Sequence, residues 1–402
     1  MPIPAIFNVM KYSLLLLLLY AFSFKSVAQS TGETLKQSVQ LVKNKKYESA
    51  YNLLEKADPK NDDADIVLAK EDILLGDFVT SFMHQMFGLK DLQPNEDIAD
   101  YRGKAGNYSM HFFRGDSLLK RLITRQPDNY KLYHGLGNYY YEVFLHYDAN
   151  WVENTETLFK YIDQNYQKVI DLNGANYMVF YELGYIDLVQ KKYPEAVIHF
   201  SKSLGLDSTY ANSSYNLAYA YLYQNDRTNA LKYAIRSIDL YKDKSYKADA
   251  ARMTGEIYEE LKDLPNEIIY YELSDKIDAD NYNTLLPLLR AYVISNNIKE
   301  DATLNRFYLL APDKPTIYND LEAIYPKNSS KLIGFYEKKQ SEYKSDDKVY
   351  GSLCFYLGKL YLGADNAKAK ENLIKAKTSL AKVFDTGNGV FAAIDQLMKK
   401  AG

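Results

Sequence analysis

From residue 130 onward the apolar and polar positions recur with a helical period, and that pattern is itself repeated. Tyr177 to Ala196 lies over Ala211 to Ala230 without a gap, at an offset of 211 − 177 = 34 residues. Tyr181 meets Tyr215, Leu183 meets Leu217, Gly184 meets Ala218 and Tyr185 meets Tyr219. Further on, Ala196 meets Ala230, Ser203 meets Ser237 and Leu206 meets Leu240. Small residues fall where two antiparallel helices must approach closely, and Leu183, Leu204 and Leu206 are spaced to fill the seam between them. Pro194 falls at the first turn of a second helix, where its missing N–H is no loss.

Less regular copies flank this pair. Tyr133, Leu136, Gly137 and Tyr140 make a first helix, but its partner, marked by Tyr166, Val169, Ile170 and Leu172, arrives about a dozen residues late for the period. The segment from Phe144 to Asn154 is therefore an insertion, or an extension of both helices. Downstream, Gly255, Tyr258 and Leu261 mark another first helix, with Glu267 where a small residue is wanted. Residues 282–311 form a predicted hairpin with Ala302 in the small position, and 353–380 form another around Leu357, Gly358 and Tyr361. At the front, Lys46-Tyr47 to Ala57 reads as a turn and second helix, and Ala69 with Gly76-Asp77-Phe78 as a further attempt. Gly88 to Gly115 loses the period and is predicted to be a long loop or irregular link. Pro312 to Ser345 carries three prolines and one helical piece, Leu332 to Lys339, at the edge of a C-terminal cap.

The 34-residue period and its small-residue positions resemble the tetratricopeptide repeat family. The resemblance implies an all-α fold, a right-handed α-solenoid of antiparallel helix hairpins with degenerate terminal repeats. The expected organisation is a signal peptide at 1–28, degenerate hairpins and a link at 29–126, a central array at 127–311 and a helical cap at 312–402. Residues 177–210 and 211–244 are its clearest repeats. The resemblance further implies that first helices line a concave surface. The residues expected to form a partner-binding groove there are Asn138, Tyr141, Tyr181, Tyr185, Tyr215, Tyr219, Tyr223, Arg252 and Glu256, a tyrosine ladder with an acidic end. Some family members clamp a C-terminal carboxylate on this face. Asn138 matches one such position, but His134 replaces the lysine and Glu182 stands where a second asparagine belongs, so that activity is not carried over.

Composition bears on the partner. The 39 Tyr against one Trp and 17 Phe suit long, half-exposed helical surfaces, because a tyrosine ring packs while its hydroxyl stays wet. A formal net charge of -3 gives no basic field for nucleic acid, which is not an expected partner. Met1 to Ser30 has the pattern of an export signal: Lys11, an apolar stretch from Leu14 to Phe24, then Ser26-Val27-Ala28 before Gln29. Met10 is the better-formed start, and the apolar stretch is shorter than the ~20 residues a membrane span needs. Removing residues 1–28 takes away Lys11 and Lys25 and changes the charge to -3 - 2 = -5. No cysteine lies near the cleavage point to accept a lipid. A periplasmic or secreted protein without stable membrane insertion is expected.

Candidate chemistry is sparse. The histidines His84, His111, His134, His146 and His199 show no metal-ligand spacing, and there is no nucleophile elbow, phosphate loop or paired-cysteine motif. Cys354, in Leu353-Cys-Phe-Tyr-Leu357, reads as a buried small hydrophobe. Glu256, Glu259 and Glu260 could share a helix face, as paired carboxylates of a glycosidase would, although a solvated acidic face is the simpler reading. No cofactor, metal or catalytic residue is expected. The function expected is a non-catalytic scaffold for a protein or peptide partner, with a glycan-capturing protein and an envelope-polymer hydrolase as the alternatives.

Overall fold

The computed structural model describes residues 31–147, 150–326, 329–385 and 387–402. The predicted signal segment, 1–28, lies outside them. Among the described residues no helix is long and apolar enough to cross a membrane. The chain divides into two compact units, Met1–Ser208 and Thr209–Gly402.

The first unit contains α1 (31–43), α2 (Tyr47–Ala57), α3 (Ala64–Gly76), α4 (Gly115–Arg125), α5 (Tyr130–Tyr147), α6 (Thr155–Asp171), α7 (Tyr177–Val189) and α8 (Tyr193–Leu206). Helix starts are set by side-chain caps: Asp63, Asn154 and Asn176 accept backbone N–H bonds in the first turns of α3, α6 and α7. Pro194 lies at the start of α8, as the sequence indicates. The second unit contains α9 (Ala211–Tyr223), α10 (Arg227–Leu240), α11 (Lys244–Glu260), α12 (Leu264–Ile277), α13 (Tyr282–Ser295), α14 (Glu300–Leu309), α15 (Pro315–Ile324), α16 (Ser330–Glu342), α17 (Asp347–Tyr361), α18 (Asn366–Leu380) and α19 (Gly389–Lys400). Consecutive helices pack as antiparallel partners: α5 with α6, α7 with α8, α9 with α10, α11 with α12, α17 with α18. The tight turns inside the pairs repeat their backbone too, with Lys191, Asn225 and Lys262 all left-handed at φ 60, 62 and 58.

The seam of these pairs follows one rule. A glycine on the first helix lets an aromatic or large aliphatic side chain of the second lie against bare backbone. A Cβ at Gly184 would stand 2.8 Å from Phe200, at Gly137 2.4 Å from Tyr166, at Gly255 2.8 Å from Tyr271 and at Gly358 2.7 Å from Leu373. In α9/α10 the same place is closed by Ala218, Ala230 and Ala234, all fully buried. Ser203 and Ser237 are buried, as predicted, but Leu206 is 58% exposed and does not fill the seam, because α8 ends there. Ala302 is also exposed; the buried small position of α14 is its neighbour Thr303, a register shift of one residue. Glu267 does occupy its small position, buried, and α11 and α12 pack closely in spite of it.

Two further departures concern the links. Pro312 to Ser345 holds two helices, α15 and α16, because Pro315 stands at the start of α15, where proline is tolerated. Gly88 to Gly115 is only partly irregular. A three-stranded antiparallel sheet, β1 (Thr80–Phe82), β2 (Met86–Leu89) and β3 (Ser109–Phe112), is inserted between α3 and α4. It pairs Thr80 with Gly88 and Phe87 with His111. Strands of three or four residues are too short for alternation to stand out in the sequence. Val79, Phe87, Leu89, Leu92 and Phe113 anchor the insert in the core of the first unit.

The extension predicted at 144–154 is real: α5 has 18 residues and α6 has 17, against 13 and 14 in α7 and α8. The added length of α5 meets the inserted sheet, where Trp151 Nε1 donates to the carbonyl of Met83 at 2.8 Å. The tyrosine excess is largely structural. Tyr139, Tyr140, Tyr166, Tyr271, Tyr292, Tyr308, Tyr318 and Tyr336 are among the largest fully buried side chains. Cys354 is buried and free, its thiol pushed up by burial.

Candidate functional site

In the first unit, Lys131, His134 and Asn138 recur at helical spacing along one face of α5 and face α3. Gly135, between them, is what lets α3 come near, since a Cβ there would stand 2.6 Å from both Leu68 and Glu71. The result is an open cleft of about 590 Å³, lined by Asp65, Asp72, Lys131, His134, Asn138 and Asn176 among others. Lys131 and Asp65 pair across its mouth at 3.2 Å, both half exposed. Deeper in, burial pushes the His134 imidazole down, which favours its neutral form. His134 Nε2 is a buried polar atom without a hydrogen-bond partner in the chain. Such an atom costs free energy until a ligand or solvent group meets it.

The other groove residues of the first unit sit more deeply than expected. Tyr141, read as groove-facing, is only 6% exposed, its ring 6.1 Å edge-on from that of Tyr185. Tyr181 packs against Phe200 at 5.9 Å and lies 6.5 Å from Tyr185; both are half-buried. Glu182, at the position where a second asparagine belongs, is buried and accepts a hydrogen bond from Tyr166; burial pushes its carboxyl up to about 7.

In the second unit, Tyr215, Tyr219 and Tyr223 recur along α9, the last two 36% and 51% exposed with hydroxyls 3.0 Å apart and rings 4.8 Å apart. Tyr215 is half-buried, near Arg252, Asp249 and Glu256 of α11. Arg252 is bonded to both acids, so its charge is already matched within its own helix. The acidic end is likewise paired: Glu259 with Arg290 at 3.0 Å and Glu260 with Arg227 at 2.8 Å.

One cluster was missed by the sequence reading. His84, in the β1–β2 turn, comes within ligand distance of Glu142 and His146, which stand one turn apart on α5. The Glu-x-x-x-His spacing on a helix was the only signal of it in the sequence, since the third residue arrives through an insertion read as irregular.

These observations define a protein of stacked helix pairs whose described surfaces offer a polar cleft and a tyrosine face. Residues 215–282 match the family model of the tetratricopeptide repeat, so the chain carries tetratricopeptide repeats there. No curated protein matches it. Among solved structures it is similar to PilF of Pseudomonas aeruginosa, at 18% identity over 52% of this chain and 88% of that one, with a TM-score of 0.40. It is similar also to the Naa15/Naa10 structure bound to HypK-THB, at 15% identity over 91% of this chain and 48% of that one, TM-score 0.44. YrrB, described as a tetratricopeptide protein with an unusual peptide-binding site, gives 15% identity over 53% and 91%, TM-score 0.33.

Proposed function

We propose that the chain is a non-catalytic scaffold that binds an extended segment of another protein, and that the α3/α5 cleft is one place where it does so. The observation that carries this reading is the open polar cleft itself, whose lining combines the Lys131–Asp65 pair with Asn138 and Asn176. An extended peptide presents backbone N–H and C=O groups at short intervals, which the side-chain amides of Asn138 and Asn176 can meet. The exposed pair Tyr219 and Tyr223 supports a second contact surface, which would suit a sugar ring as well as a peptide. We further propose, from the pattern of residues 1–28 alone, that the scaffold works outside the cytoplasm, in the periplasm or secreted.

Affinity capture from the native source tests the reading, with wild type compared against Lys131→Ala/Asn138→Ala and Tyr219→Ala/Tyr223→Ala. The expected result is loss of a specific protein partner in the first variant at unchanged helical circular dichroism. Equal capture by all three proteins would dismiss both surfaces, and glycan-array binding lost in the tyrosine variant alone would favour the sugar reading. Export is checked by the N-terminal residue of the protein isolated from its source, expected to be Gln29.

A further inference from the structure

The turn between β1 and β2 is an unusual place for a histidine. Met83 and His84 both adopt left-handed backbone, φ 53 and 50, a conformation that side-chain-bearing residues rarely take in succession. Three hydrogen bonds hold it. Tyr139 Oη donates to the His84 carbonyl at 2.8 Å, the His84 N–H donates to Tyr147 Oη at 3.2 Å, and Trp151 donates to the Met83 carbonyl. All three partners come from α5 or the segment just after it. The geometry thus spends backbone strain and three side chains to fix the direction of one imidazole. That imidazole is fully buried, and neither of its ring nitrogens has a hydrogen-bond partner.

What the ring meets is a pair of metal-type donors. Glu142 and His146 project from one face of α5, and one donor atom from each of the three residues lies within 4.8 Å of the others. The His84 and His146 rings are 5.2 Å apart. His146 Nδ1 is 3.0 Å from the Glu142 carbonyl, so a proton on Nδ1 leaves Nε2 as its free donor, the arrangement in which a ligating histidine is oriented by its other nitrogen. Around a tetrahedral ion, ligand atoms about 2.1 Å from the metal stand roughly 3.4 Å apart. The three groups need to close by up to about 4.8 − 3.4 = 1.4 Å. Glu142 and His146 can do so, with side chains 24% and 35% exposed, while His84 stays fixed. Arg102 has its guanidinium 4.7 Å over the Phe78 ring and donates to the carbonyls of Phe78 and Gly76. It is tied to backbone, not to Glu142.

We propose that His84, Glu142 and His146 form a binding site for a divalent transition-metal ion of the zinc class, which clamps the inserted sheet to the extended end of α5. Two imidazoles and a carboxylate suit zinc and its first-row neighbours, whereas calcium and magnesium require oxygen donors. Three protein ligands leave a fourth position for water or a group of a partner.

The test is calorimetric titration of zinc chloride into the purified, chelator-treated chain carrying no polyhistidine tag, with cobalt chloride absorption as a report of coordination geometry. One ion per chain is expected, with tetrahedral cobalt bands and no response to calcium. His146→Gln and Glu142→Gln, both at partly exposed positions that leave the fold intact, should each weaken binding by at least tenfold. His199→Gln, a histidine beside Asp187 elsewhere in the unit, should leave it unchanged. Absence of zinc binding in the wild type, or binding undiminished in both Gln variants, would overturn the proposal.

Discussion

The hairpin α7/α8 and the hairpin α5/α6 are built on the same seam and differ in everything beyond it. In both, a first-helix glycine receives an aromatic ring of the second helix, Phe200 on Gly184 and Tyr166 on Gly137. In α7/α8 the helices are joined by a three-residue turn; in α5/α6 both helices run on past it and the connection contains Trp151. The pair before them, α3/α4, takes in a whole sheet at the corresponding point. What specifies a hairpin here is the close approach near the middle of its helices. The turn, remote from that contact, is where chain length can change without disturbing the packing.

If the seam is the shared determinant, breaking it should cost the same in the plain hairpin and in the extended one. Gly184→Val and Gly137→Val are each expected to destabilise by about 3 kcal/mol, since an added side chain must displace a buried ring. Chemical denaturation measures this. A loss below about 0.5 kcal/mol at either site would show that the two hairpins do not share a seam.

The next test contrasts α9/α10, sealed by Ala230, with α11/α12, where Glu267 takes the small position. Burial, and then the charge of Glu259, push the Glu267 carboxyl up to about 7, with Arg290 opposing. A carboxyl whose pKa is raised on folding binds its proton more tightly in the folded state. Stability is therefore greatest below the unfolded value near 4.5, falls as pH rises towards 7 and levels off above it. The loss is on the order of 1–3 kcal/mol. Glu267→Gln should flatten melting temperature against pH between 4.5 and 7, and an unchanged slope would refute the assignment.

The smallest effect concerns the insert. Trp151→Phe removes one hydrogen bond to the strained turn and should cost about 1 kcal/mol. Hydrogen exchange should show the loss at residues 80–89, with the amides of α7 and α8 unaffected. Acceleration spread evenly over the first unit would mean that the insert is not a separate layer of stability.

The same contrast explains what could be read from the sequence. The small-residue periodicity of 177–244 gave the helix pairs, because the seam depends on residue size at fixed spacing. The links were illegible for opposite reasons. Strands β1 to β3 are too short to display alternation, and α15 was hidden because prolines that begin helices look like prolines that end them. Among the site residues, Asn138 and the exposed Tyr219 and Tyr223 follow from helical phase alone. Tyr141 does not, since its phase is shared with the face that the neighbouring Tyr185 covers. His134 and Glu182 could be placed on their helices, but burial, which decides their charge, depends on which helix packs next to them.

The chain's single tryptophan is one of the residues that reach the inserted turn, together with Tyr139 and Tyr147. Tyr139 and Tyr140 lie 6.3 and 6.2 Å from the indole, close enough to pass excitation to it. Red-edge emission therefore comes from one place, and the protein carries an intrinsic fluorophore at the junction of sheet and helix. Any ligand or ion that alters that junction announces itself without a label.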